Sequence, residues 1–262
     1  MGKLGGLLRG GGEGVGVEAI TGIALPISLW ALAFGVVLLA ASLQATVGFG
    51  FALVSVPLLS MLDPRLAPVP QLLLDLLLSA AVCFRERSDV DLRGVTWVVF
   101  GRIPGSLLGL LCLKLFSQEK MSVAIGLCVL GAVLILSGKR RLKRSLRVDL
   151  FAGTLSGLSA VVASIGGPPL ALIFVGERAA RLRATLAAIY CIGIVVAIVV
   201  RAAGGELLSS DVSIALVFSP VLLLAMPISA ALKTKISDKA LGKVILLIAA
   251  GAGLTLLLRP LW

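Results

Sequence analysis

The chain has 262 residues, 59% of them hydrophobic, and a mean hydropathy of +1.12. Soluble domains lie near 45–50% apolar; here apolar runs of roughly 18 or more residues recur along the chain, which excludes a soluble domain and a short-stranded membrane β-barrel. The net charge of +11 then reads as basic loops held in the cytosol rather than a nucleic-acid surface, and the absence of histidine removes the commonest metal ligand and general base.

The start, "MGKLGGLLRGGGEG", shows no cleavable signal peptide. Gly6 stands where a myristoylation motif needs Ser or Thr, so the first hydrophobic segment is expected to direct insertion. Apolar runs then follow at about 29–62, 66–84, 95–113, 120–137, 148–175, 184–203, 212–232 and 240–258. Six have single-span lengths. The runs 29–62 and 148–175, roughly 51 and 42 Å as continuous helix, are too long for one span of a ~30 Å core and too short for two. Both contain a break, Gly48-Phe49-Gly50 in "ATVGFGFALVSVPLL" and Gly166-Gly167-Pro168-Pro169 in "SAVVASIGGPPLALIF". A helix broken at mid-depth, entering and leaving on one face, accounts for both facts. Whether residues 15–28 add a further span stays open.

The two halves resemble each other. "TVGFGFALVSVPLL" overlays "VASIGGPPLALIFV" at an offset of 116, with Gly50 on Gly166. Further on, at an offset of 120, Ser117 falls on Ser237 and Gly131 on Gly251. Gly105-xxx-Gly109 falls on Ala225-xxx-Ser229, a small-residue packing face in each half. The predicted fold is therefore an all-α polytopic membrane protein of inverted repeats, each a re-entrant broken-helix hairpin plus three transmembrane helices. Its divisions are an N-terminal segment (1–28), repeat 1 (29–138), a basic linker (139–147) and repeat 2 (148–262). With the linker "KRRLKRSLR" in the cytosol, four cytosolic loops carry 16 Lys or Arg and the opposite side seven. Both termini then lie outside.

Non-helical backbone within a membrane is tolerated mainly where it lines a cavity, and a half-helix N-terminus is an anion site. Paired breaks in inverted repeats point to a transporter's substrate site. In the first half Thr46, Gly48, Phe49, Gly50 and Phe51 are the candidate substrate-binding residues. In the second, Pro168 offers no N–H but presets the first turn, so Ser164, Gly166 and Gly167 must donate. The competing reading is two kinks filled by neighbouring helices.

Asp75 is an intramembrane carboxylate one helical turn after Gln71, on the same face, and Arg102 lies in the next span at similar depth. One reading is a structural Asp–Arg pair; the other has Arg102, with Gln71, attracting an anion and Asp75 coupling a proton. Thr46, Gln44, Thr185 and Tyr190 could add hydrogen bonds, though such residues more often only pack helices. Trp30, Trp97 and Trp262 are expected as interface anchors, and Cys83, Cys112, Cys128 and Cys191 as packing residues. No cofactor, metal or nucleic acid is expected. The partners are a small anion and the lipid bilayer, with a homo-oligomer left open.

The stretches "VGFGFALVSVPLL", "GLSAVVASIGGPPLALIF" and "RLRAT" (181–185), in this order, resemble the two halves of the sulfite exporter TauE/SafE family. The resemblance covers nearly the whole chain from about residue 30. It implies a multi-pass permease of the bacterial cytoplasmic membrane for sulfite, sulfonates and other sulfur-containing anions, and no enzymatic activity. Phe51 after Gly50, and Ser164 before the second motif, depart from the family's fuller glycine run, which leaves the anion open. The alternatives are an anion channel or a permease for an unrelated small organic anion. An intramembrane protease would lack its histidine or second aspartate, and no phosphate loop supports ATP-driven pumping.

Overall fold

A computed structural model describes residues 15–116, 118–138, 144–174 and 176–258. Ser117, the linker over 139–143 and Trp262 lie outside the described residues. Within them every regular element is helical. The short helix α1 (Val15–Thr21) stops at Gly22, in left-handed backbone, so 15–28 adds no span. Next come α2 (Ile27–Val47), α3 (Phe51–Leu62), α4 (Val69–Arg85), α5 (Leu92–Leu115) and α6 (Gln118–Ser137). The second half is α7 (Leu146–Ala163), α8 (Gly167–Ile173), α9 (Ala179–Ala203), α10 (Ser209–Lys235) and α11 (Asp238–Leu258).

Eight of the described helices are long and apolar enough to cross a membrane: α2, α4, α5, α6, α7, α9, α10 and α11. The sequence led us to expect six spans and two hairpins broken at mid-depth. The difference lies in where the breaks fall. α2 runs for 21 residues and α7 for 18 before breaking, about 31 and 27 Å, so each long arm has span length by itself. Only the second arms are short, at 12 residues in α3 and seven in α8.

The breaks have local causes. Gly48 ends α2 at φ 100°, its N–H bonded to the Gln44 carbonyl, and Gly50 precedes α3 at φ 116°. Both angles lie where a Cβ is strained, which is why glycine stands at each. In the second half a serine takes the left-handed position: Ser164 caps α7 at φ 58°. Pro168 and Pro169 then open α8, where their missing N–H groups cost nothing.

α5 packs on α7 and α9, α10 on α2 and α4, α4 on α9, and α6 on α11, while the short arms α3 and α8 lean on α11 and α6. The α5–α7 seam is the closest. Cβ atoms added at Gly101 or Gly105 would run into the Leu150 and Thr154 carbonyls, and at Gly153 or Gly157 into those of Val98 and Arg102. The small-residue face expected at Gly105 and Gly109 is therefore real, and it extends to Gly101 and to a matching pair on α7. Ala225 and Ser229 are likewise fully buried on α10. Leu134, Phe151, Leu223 and Leu247 point outward with more than two thirds of their surface exposed, as a lipid-facing belt requires. Trp97 is exposed, but Trp30 is a correction: it lies buried in an aromatic cluster with Phe34 and Phe218, not at an interface. All four cysteines are free thiols.

Candidate functional site

The two breaks meet. A Cβ on Gly167 would come within 3.6 Å of the Phe49 Cβ. Between them is a small cavity of ≈ 20 Å³ whose wall includes Gly50 from the first break and Ser164, Gly166, Gly167 and Pro168 from the second. Asp75, Arg102, Gln44 and Tyr190 complete its polar side, and Leu72 and Ile194 its apolar side.

At the first break, Gln44 sits one helical turn before Gly48. Its Oε1 accepts the Phe51 N–H at 3.0 Å, so a side chain occupies the first free amide of α3. Its Nε2 donates to Asp75 Oδ1, which also accepts from the Ser79 hydroxyl at 3.0 Å. Gln44 thereby ties the start of α3 to the buried carboxylate on α4.

At the second break, Ser164 Oγ donates to the Pro68 carbonyl at 2.7 Å, anchoring the turn to the start of α4. Ser156 Oγ donates to the Gly166 carbonyl at 2.6 Å and accepts from Arg102 Nη1 at 3.0 Å. Arg102 is fully buried, and its Nε has no hydrogen-bond partner. The Tyr190 hydroxyl, equally unpartnered, would lie 2.8 Å from a Cβ on Gly167. Gly193 makes room for the guanidinium, since a Cβ there would collide with Arg102 Nε. Two polar groups on residues of the cavity wall thus have no protein acceptor, and each buried one costs free energy until something accepts its hydrogen.

The remaining candidates lie elsewhere. Thr46 bonds its hydroxyl to the Ser42 carbonyl at 2.7 Å. Gly48 packs against the Arg183 side chain, and Phe49 packs as a half-buried core residue. Phe51 spends its N–H on Gln44 and buries its ring in the core. Gln71 donates to the Leu66 carbonyl at 3.1 Å. Asp75 and Arg102 share the cavity wall without pairing, because Gln44 and Ser79 hold one and Ser156 the other. Thr185 accepts the Asp91 N–H at 3.0 Å, away from the cavity. Gln44 hydrogen-bonds both the start of α3 and Asp75, and Tyr190 lines the cavity with its hydroxyl unpartnered. Ser156 and Gly193 passed unnoticed in the sequence, where one more serine and one more glycine in apolar helices carry no signal of their own.

Beside the first break lies an ionic cluster. Glu86 accepts from Arg183 Nε at 2.9 Å, Lys233 Nζ at 2.8 Å and Arg85 Nη2 at 3.1 Å. Burial alone would raise the Glu86 carboxyl, but hydrogen bonds from Lys233 and Arg183 outweigh it and hold the group below the usual carboxylate range.

The model of the family described as Sulfite exporter TauE/SafE matches residues 33–256. Comparisons with curated proteins and with solved structures gave no match.

Proposed function

The chain belongs to the sulfite exporter TauE/SafE family of membrane transporters for sulfite-type anions, and from that premise we propose that it is a secondary carrier for small sulfur-containing anions, sulfite or sulfonates, with the cavity between the two breaks as its binding site. The observation that carries this reading is a fully buried Arg102 in the wall of that cavity whose Nε–H has no partner, with the unpartnered Tyr190 hydroxyl in the same wall. An oxyanion supplies what both lack: negative charge and several acceptor lone pairs in one small group. The apolar walls at Leu72 and Ile194 suit a short carbon stem once the cavity opens.

At ≈ 20 Å³ the cavity has room for about one water molecule. A sulfite-sized anion enters only when the walls part, which fits the closed form of a carrier. The halves act as inverted repeats: α5 packs on α7 as α10 packs on α2, and α3 leans on α11 as α8 leans on α6. Exchanging the halves leaves this set of partners in place, which supports the reading. Asp75, on the same polar side of the cavity, carries the coupling proton, and the bacterial cytoplasmic membrane is the natural setting.

Binding measured on purified protein against sulfite, sulfate, thiosulfate, taurine and sulfoacetate tests the site. At least one should bind, and the affinity should fall in Arg102→Gln. Counterflow in proteoliposomes separates carrier from channel: excess internal anion should accelerate uptake of labelled anion. Binding by none of the five, or no counterflow, would defeat the proposal.

A further inference from the structure

Two arginines perform the same act at opposite ends of the bundle. Arg85, the last residue of α4, donates from Nη2 to the Ala45 carbonyl near the end of α2 at 3.0 Å. Arg201, near the end of α9, donates from Nη2 to the Val161 carbonyl near the end of α7. Each bond spans 40 residues of chain. Arg201 and Val161 also lie 116 residues after Arg85 and Ala45, the offset that lays Gly166 over Gly50. In each half the break begins three residues beyond the held carbonyl, at Gly48 and at Ser164.

The ends are far apart. Arg183, near the start of α9, bonds Glu86 next to Arg85, and Arg201 follows 18 residues later on the same helix, about 27 Å away. Their settings differ as well. Arg85 belongs to the ionic cluster around Glu86, while the acids whose charge Arg201 feels are Glu206 and Asp211. Arg201 is only 3% exposed and keeps an unpartnered Nε, so loop charge does not account for it.

We infer that Arg85 and Arg201 are a repeat-related pair of positioning residues that latch the long arms, one on each face of the membrane. The last carbonyls of a helix have no partner within it, so each arginine supplies the partner that holds an arm's end against α4 or α9. With both latched, the cavity is closed. Releasing Arg85 loosens the end of α2, where Arg183 Nη1 still donates to the Thr46 carbonyl at 3.4 Å, and opens the cavity toward the face that carries Arg183 and Glu86; releasing Arg201 frees the end of α7 and opens it toward the other. Alternating release of two equivalent latches is what a carrier built of inverted repeats requires. The inference rests on the carrier reading, but its test reads accessibility and not transport.

In a background with Cys83, Cys112, Cys128 and Cys191 replaced by alanine, Ile194→Cys places a reporter on the cavity wall. Vesicles of known orientation receive an impermeant maleimide from one side or the other. Arg85→Gln should speed labelling about tenfold from the Arg183 face, and Arg201→Gln about tenfold from the opposite face, the shift expected on losing one charged hydrogen bond. Size-exclusion profiles check that each variant is folded. Where a glutamine variant does not fold, the lysine variant, whose ammonium cannot fork, is read by the same directional criterion. Faster labelling from one face in both variants, or unchanged labelling in both, overturns the inference. Absence of anion binding would count against the carrier reading and leave the labelling result standing.

Discussion

Arg102 shows how a single residue sets the chemistry of the site. Burying a guanidinium is costly unless its donors are met, and Ser156 meets only one. Arg102→Gln should therefore weaken anion binding about ten- to a hundredfold, the span of one charge-assisted hydrogen bond, measurable by titration of purified protein. Gly193→Ala, which touches no anion in this arrangement, should push the guanidinium aside and weaken binding as well; unchanged affinity in both would remove Arg102 from the site. Asp75→Asn keeps the size of the group and removes its charge. It should retain anion binding yet lose acceleration by an imposed pH gradient in proteoliposomes, whereas full gradient-driven transport would leave Asp75 a structural partner only. Much of this wall was readable beforehand: two intramembrane charges and two glycine breaks stand out against apolar sequence. The bond from Gln44 to Phe51 was not, because it depends on a side chain folding back over a turn of unusual backbone angles. Nor was the separation of Asp75 from Arg102, since similar depth on adjacent helices says nothing of which way each side chain turns.

The breaks and the α5–α7 seam use glycine for different purposes, and substitution separates them. At Gly105, even an alanine methyl would meet the Thr154 carbonyl, and at Gly131 it would meet nothing within 4 Å. Gly105→Ala should lower stability by about 1–3 kcal/mol, the usual cost of overpacking, and Gly131→Ala should be close to neutral, both read from thermal unfolding in detergent. Gly50 is at φ 116°, and a side chain there would press on Ile245 of α11. Gly50→Val should cost anion affinity beyond any loss of stability, because the strain falls on the cavity wall; affinity unchanged in folded Gly50→Val and Gly166→Val would exclude the breaks from binding. Helix identity and number were legible from hydropathy because each span must hide its own backbone bonds from lipid. Break positions within the long runs were legible too, at Gly48 and Gly166. Arm lengths were not legible, because hydropathy continues across a break and does not mark how much of the run lies on each side.

The whole molecule is drawn together at the Arg183 face by Glu86, which joins the end of α4 to the start of α9 and the end of α10. The sign of its pH effect follows directly. The folded carboxyl is held below its unfolded value, near 4.3 for a glutamate. Its contribution to stability is thus fully present above that value and is lost as pH falls through the lower folded one. Unfolding temperatures should drop on acidification below about pH 4, and Glu86→Gln should flatten that drop; an equal slope in both proteins would assign it to other carboxylates. The same logic of opposite ends bears on the glycine seam. α5 belongs to the first half and α7 to the second, and at Gly101, Gly105, Gly153 and Gly157 they touch backbone to backbone. Side chains can re-rotate to absorb sliding, but carbonyls facing glycines cannot. On the proposed carrier reading, α5 and the glycine-bearing stretch of α7 behave as one axle shared by both halves, about which rocking would turn, and only the last turn of α7 is left to swing.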